Sequence, residues 1–405
     1  MTDHDTRVGP GHPPLRPQDV LGVPALPPPA VTRASNRARG LLARLRRGTA
    51  PPPVRIMESA LAGLEPAVLA TLCRLDLPDR LTGPLDVPAL AAELDVDADR
   101  LTRLLRFAHV RGWVRLDRRH RVHPTRVTTF LRRDHPGGWR AWVTFAAGQE
   151  VTAALGALER ALPPDGDAFD AANGLAFFPW MHAHPDRHTG FDAAMAAGAR
   201  MHGLLLARAL DWSTSRRVCD VGGGDGTLLS VLVAHHPHLH GVVLELPEVA
   251  ARMPVRHQVT AEAGDAFRGV PPGCDTYLLV NVLHDWGDAA ATDLLRRAAE
   301  AARACEADGT PARVIVVDHQ AHPRPKDDMA QLADTLMLAL TPGGRERTTG
   351  HVVALGEAAG LALQRHHRLA SGDVAIVLRP ERSGSVTPTV RGPVSRRRRG
   401  RSASE

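Results

Sequence analysis

The chain has 405 residues and a formal net charge of +6, enough length for two or three domains and enough basicity to suggest an anionic partner. The charge is unevenly spread: residues 1–53 carry eight Arg against three Asp and residues 381–405 seven Arg against two Glu, which leaves 54–380 acidic by about four charges. Four well-separated cysteines without metal spacing fit a reducing cytoplasm, no run of 18 apolar residues supports a membrane span, and the N-terminus lacks the apolar core of a secretory signal.

Residues 1–53 hold 11 of the 33 prolines and no aromatic residue, and 381–405 also lack aromatics. Neither segment can bury enough apolar surface to offset its ordering entropy, so both are expected to be disordered tails. The Arg-rich stretch 30–47 faintly resembles an organelle transit peptide; a disordered extension, or a start nearer Met57, is the preferred expectation. From 54 a helical period places Ile56, Ala60, Leu64, Val68, Leu72 and Leu75 on one face. Helices are expected at 87–94 and 97–110, the second turning Leu101, Leu104, Leu105 and Ala108 inward, followed by strands at 113–116 and 121–123 around a polar turn. That order over 54–136 is a winged-helix pattern. A DNA reader would use the stripe Arg100, Arg103 and Arg106; a solvated face on a dimerisation module is the preferred reading.

Residues 137–212 read as a mostly helical linker, broken at 162–167, with aromatic residues clustered at Phe177, Phe178 and Trp180. The rhythm then changes. Short apolar runs at 217–221, 241–246, 276–280 and 314–317 suit buried parallel strands, with helices at 227–235 and 289–304 between them. Such alternation over 213–380 predicts a doubly wound, Rossmann-like α/β domain.

The run 218–226 reads Val-Cys-Asp-Val-Gly-Gly-Gly-Asp-Gly, closing a strand and opening a helix where bare backbone can approach a ligand. A dinucleotide fingerprint would need Gly or Ala at 227, where this chain has Thr227. Glycines at 222, 224 and 226 after Asp220 instead resemble motif I of S-adenosylmethionine-dependent methyltransferases. Glu245 ends the next strand, where a carboxylate can accept both ribose hydroxyls; an NAD enzyme would share it. The run 264–267, Gly-Asp-Ala-Phe, resembles the Gly-Asp-x-Phe turn that touches adenine in that family. The resemblance thus assigns Asp220, Gly222, Gly224, Glu245, Asp265, Ala266, Phe267 and Asn281 to S-adenosylmethionine.

The run 281–288, Asn-Val-Leu-His-Asp-Trp-Gly-Asp, lies at the carboxyl edge where open α/β sheets hold ligands. It is similar to the His-Asp-Trp motif of small-molecule O-methyltransferases, the caffeic acid and polyketide type, in which this histidine is the general base. Two acids fall at that family's flanking positions: Asp318, where plant members have Glu, and Glu346 in the run 342–348, Pro-Gly-Gly-Arg-Glu-Arg-Thr. The shorter Asp318 is expected to reach His284 only through a backbone shift or a water. The chemistry suits the set: a phenol has a pKa near 10 and an ordinary imidazole one near 6.5, so proton transfer to His284 must couple to attack on the methyl group.

The resemblance covers about 55–380 and implies a homodimer, an aromatic small-molecule acceptor and no specific nucleic-acid or membrane partner. It places Phe178, Trp180, Met181, Met195, Trp286, Asp334, Met337 and Leu338 along the acceptor pocket. The histidine groups 182, 184, 188 and 235, 236, 238, 240 have no Cys or matched carboxylate partners, so no metal is expected. Two rivals stand beside this reading. One is a relative that uses the same pocket for hydroxylation or decarboxylation. The other is a winged-helix regulator with a vestigial pocket, which would have no use for a base and its acids.

Overall fold

The computed structural model describes residues 29–381, so the expectations for 1–28 and 382–405 lie outside the described residues. The first element corrects the sequence reading. Residues Pro29–Thr49, expected to lack structure, form a helix that exposes Val31, Leu41, Leu42 and Leu45. Counting prolines misled here: Pro29 occupies a helix start, where its missing N–H costs nothing, and none follows until Pro51. Between them Ala, Leu and Arg favour helix.

The single helix face expected from Ile56 onward is divided. Pro52–Ala60 and Leu64–Arg74 are separate helices; Ile56, Ala60 and Leu64 are exposed, whereas Leu72 is buried. By length and composition Pro52–Arg74 would reach across a bilayer, but a turn at 61–63 breaks it.

The small domain follows the predicted order. Helices Val87–Glu93 and Ala98–Val110 are capped by Asp86 and Asp97, whose carboxylates accept the amides of Ala89 and Arg100. Strands β1 (Leu85–Asp86), β2 (Arg115–Leu116) and β3 (Arg121–His123) form a sheet in the order β1-β3-β2. Leu101, Leu105 and Ala108 are buried with Leu72, Leu77, Leu90 and Val122; Leu104 packs at the margin. Arg100, Arg103 and Arg106 are exposed. Arg140 Nη1 then joins this domain to the linker by donating to Asp79 at 2.6 Å.

The linker ends in the 25-residue helix Pro185–Ala209, which lies against one face of a seven-stranded sheet. The strands are β4 (Arg217–Val221), β5 (His240–Glu245), β6 (Val259–Ala263), β7 (Thr276–Val280), β8 (Arg313–Asp318), β9 (Leu361–Arg368) and β10 (Val374–Pro380), in the order β6-β5-β4-β7-β8-β10-β9. Strands β4 to β8 are parallel, β10 runs antiparallel to β8, and β9, antiparallel to β10, returns in the direction of the other five. Because side chains alternate along a strand, Val314 and Val316 pack on the face covered by helix Asp288–Ala307, while Ile315 and Val317 pack beneath helix Pro185–Ala209. That alternation sends Asp318, which ends β8, and His319, the residue after it, in opposite directions.

Candidate active site

The glycine turn at the end of β4 takes the form its sequence demands. Gly222, Gly224 and Gly226 have φ of +70°, +58° and +74°, values that side chains with a Cβ resist. A Cβ on Gly223 would meet the Asp220 carboxylate at 2.7 Å, so that acid lies folded directly under the turn. Asp220 is buried, and burial, reinforced by Glu245, lifts its pKa to about 8. Glu245 accepts the Leu246 amide at 2.6 Å and a backbone bond from Gly224; burial still raises its pKa. Asp265 accepts the Phe267 amide at 2.9 Å, and with Pro247, Gly264, Arg268 and Gly269 it lines a cleft of about 620 Å³.

Asn281 stands in the left-handed region with φ +53°, and its buried Oδ1 has no partner. An orphaned acceptor beside a glycine turn and three carboxylates suits a cationic, hydroxyl-bearing nucleoside. The residues assigned to S-adenosylmethionine therefore fit that group: Asp220 and Glu245 at the strand ends, Asp265 to Phe267 at the far wall, and Asn281 toward the catalytic segment.

His284 lies in a single 3₁₀ turn, Leu283–Asp285, beyond β7. Its Nδ1 is 2.8 Å from Glu346 Oε1, and its Nε2 is 3.7 Å from Asp285 Oδ1, too long for a hydrogen bond. Burial alone would lower the pKa of His284. Asp285, the bond to Glu346, the charge of Glu346 and Asp318 outweigh it and raise the imidazole to about 10. The acids respond in turn: burial lifts Asp318 to about 7 and Asp285 to about 6, each held back by His284.

Glu346 is brought directly to His284. Asp318 is not; no hydrogen bond joins it to His284, and its Oδ1 is buried without a partner. The one-methylene deficit leaves Asp318 acting through charge alone. Asp334, expected in the acceptor pocket, instead accepts the Glu346 amide at 2.9 Å and fixes the acid's loop.

Two further residues shape the site, and no motif singles them out. Asp285, inside the His-Asp-Trp run, is the acid nearest Nε2. Arg347 is buried and donates to Asp288 at 2.9 Å and to the carbonyls of Leu283 and Trp286 at 2.7 and 2.6 Å. It clamps the turn that carries the histidine. A second arginine in the run 342–348 was the available signal.

The acceptor set is divided. Phe178 stacks on Trp286 with centroids 5.7 Å apart and planes 15° apart, and Trp286 meets Phe267 edge-on at 4.8 Å. Trp286 thus joins the expected adenine side to the expected acceptor side. Met181, Met195 and Met337 pack in one cluster with Phe145, Phe169 and Phe177. Trp180 leans on this cluster but stacks on His184 at 3.9 Å, and Leu338 is exposed while its neighbour Leu336 packs inward. The spacing of helix Met329–Leu340 places 336 and 337 on the packed side, with 338 beyond its edge. The two histidine groups hold no metal cluster among the described residues; His236 and His238 bond carbonyls of Ala207 and Trp212.

A glycine turn between parallel β4 and a helix, an acid ending β5 and an acid-backed imidazole at the carboxyl edge define a class I methyltransferase. Residues 155–362 match the O-methyltransferase domain family. The O-methyltransferase SfmM3 of Streptomyces lavendulae is 33% identical over 77% of this chain and 95% of its own length. The aclacinomycin 10-hydroxylase RdmB of Streptomyces purpurascens is 32% identical over 74% of this chain and 81% of its own length. The crystal structure of NcsB1, an O-methyltransferase from neocarzinostatin biosynthesis in complex with S-adenosylmethionine and 2-hydroxy-5-methyl naphthoic acid, superposes with a TM-score of 0.63 at 28% identity, covering 78% of this chain and 95% of that one. The chain belongs to the O-methyltransferase family and is an S-adenosylmethionine-dependent O-methyltransferase.

Proposed function

We propose that the enzyme methylates a hydroxyl group of an aromatic secondary metabolite, with His284 as the general base. One observation carries this reading: Glu346 holds Nδ1 of His284 at 2.8 Å, leaving Nε2 for an acceptor proton. The aromatic and methionine cluster around Phe178, Trp286, Met195 and Met337 favours a flat, apolar acceptor. The 2-hydroxy-5-methyl naphthoic acid bound by the similar NcsB1 supports such a substrate.

When bound, S-adenosylmethionine supplies a methyl group on a positively charged sulfur. The chain's own residues then align the acceptor and take its proton. Alignment contributes on the order of 7–11 kcal/mol, more than the base. The acids around His284 change the earlier arithmetic. With the imidazole raised to about 10 it matches a phenol, so proton transfer is nearly level rather than uphill. Neutral imidazole is then the minor form at neutrality, and turnover rises with pH. Asp285 and Asp318 stabilise the imidazolium as it forms, in the manner of a buried acid behind a catalytic histidine.

Exposed Ile56 and Met57, Leu61 in the turn that follows, and Leu64 at the start of the next helix support a homodimer, in which a second copy covers them. Similarity to RdmB keeps hydroxylation as a second reading. Both are tested by incubating the purified chain and S-adenosylmethionine with a panel of hydroxynaphthoates, phenolic polyketides, flavonoids and hydroxylated indoles. A product heavier by one methyl group supports the proposal. A product heavier by oxygen, or no product, overturns it.

A further inference from the structure

A second imidazole–carboxylate group lies on the other face of β8. The antiparallel register pairs Val374 with Asp318, so the next residues outward, Asp373 and His319, stand side by side. The buried Asp373 carboxylate accepts from His319 Nδ1 at 2.5 Å, His202 Nε2 at 3.1 Å and Ser371 Oγ at 2.6 Å. These donors come from three places: the end of β8, the long linker helix and the turn before β10. His202 lies two helical turns from Met195, hence on the same face of Pro185–Ala209 as a residue of the aromatic cluster.

We propose that Asp373 is a positioning residue for methyl transfer, tying the end of the strand that carries Asp318 to the helix that carries Met195. The role rests on the aromatic-acceptor reading. A buried carboxylate with three donors has one arrangement of lowest energy, and leaving any donor unpaired is costly. Asp373 therefore sets the spacing between the acceptor-side layer and the catalytic edge, where small displacements cost much of the rate. The titratable groups facing this carboxylate are His202 and His319; across the strand end stand Asp318, His284 and Glu346.

The full chain with S-adenosylmethionine bound provides the test. Asn at 319 offers an amide nitrogen where Nδ1 stands, and Gln at 202 one where Nε2 stands. H319N and H202Q therefore keep the bonds that H319A and H202A remove, and they decide the matter should D373N fail to fold. Hydrogen exchange is measured at 198–205 and 317–320, alongside the Kd for S-adenosylmethionine and the KM for the phenol identified in the panel. D373N, H319A and H202A are expected to speed exchange in both segments together and raise acceptor KM roughly tenfold. The Kd should stay within about twofold, and H319N and H202Q should behave as the parent. Faster exchange only in the substituted segment, a parallel weakening of cofactor binding, or no rescue by H319N and H202Q would overturn the proposal. Should no phenol be methylated by the parent, the acceptor reading fails, while the exchange data still decide whether the tie exists.

Discussion

The carboxylates on the two faces of β8 stand in opposite states of satisfaction. On one, Asp373 receives three hydrogen bonds, although Nδ1 of its donor His202 is itself buried without a partner. The Asp373 pKa is lowered: burial opposes this, but the bonds from His202 and His319 prevail. On the other, Asp318 Oδ1 and Glu346 Oε2 are buried without partners, and Asn281 Oδ1 nearby is also orphaned. A scaffold completes its polar bonds because unmade ones cost stability. A reactive site leaves acceptors open and carries acids and an imidazole whose pKa values are pushed from their ordinary ranges. Strand alternation alone separates these two environments by one residue.

The largest effect expected from breaking the open side is H284A, which should reduce turnover by roughly 10²–10⁴ while calorimetric binding of S-adenosylmethionine is unchanged. E346Q should lower turnover by roughly tenfold or more and also move the pH profile. Glu346 helps raise the pKa of His284, so removing its charge shifts the rising limb of kcat/KM toward lower pH. A limb that stays in place would assign the titration to another group.

On the satisfied side, pH should act with opposite consequence. The His319 pKa is raised: burial lowers it, and the bond to and charge of Asp373 overcome this. The pair therefore stabilises the fold at pH values below the ordinary histidine range and up to His319's raised pKa, and this stabilisation is lost as pH rises through it. Thermal melts of the parent should lose stability as pH rises through the raised pKa of His319, whereas melts of D373N should lack this step.

D318N should change turnover only several-fold, because Asp318 reaches His284 by charge and not by a hydrogen bond. Smallest of all, removing 1–28 and 382–405 should leave methyl transfer intact, since every site residue lies between Asp220 and Glu346 or in the linker before them. Loss of activity on trimming would bring the basic ends into the function.

Much of this was legible in the chain because glycines, acids and a histidine must occupy fixed places on a strand–turn–helix frame. Strands β4 and β7 and helix Thr227–His235 match the ranges read from apolar runs. Strand β6 was missed because Thr260 and Glu262 interrupt an edge strand that needs no apolar run. Strand β9 carries no apolar run, since Gln364, Arg365, His366 and His367 follow one another in it, and the strands expected from apolar runs end at 317, before β10, the buried partner of β8. In the site, local motifs and the family resemblance single out Asp220, Glu245, His284 and Glu346, and the fold gathers them at the carboxyl edge of the sheet. Where Trp180, Asp334 and Leu338 face is not legible locally, since helix rotation and loop bonding decide it. Nor is the role of Asp373, which depends on a register between strands that no local pattern specifies.

Methyl transfer from S-adenosylmethionine to the panel phenol, followed across pH in the parent and in H284A, decides whether His284 is the base. The parent rate should climb from neutrality toward alkaline pH, and the low rate of H284A should lack this limb. Equal rates and the same limb in both proteins would contradict His284 as the base.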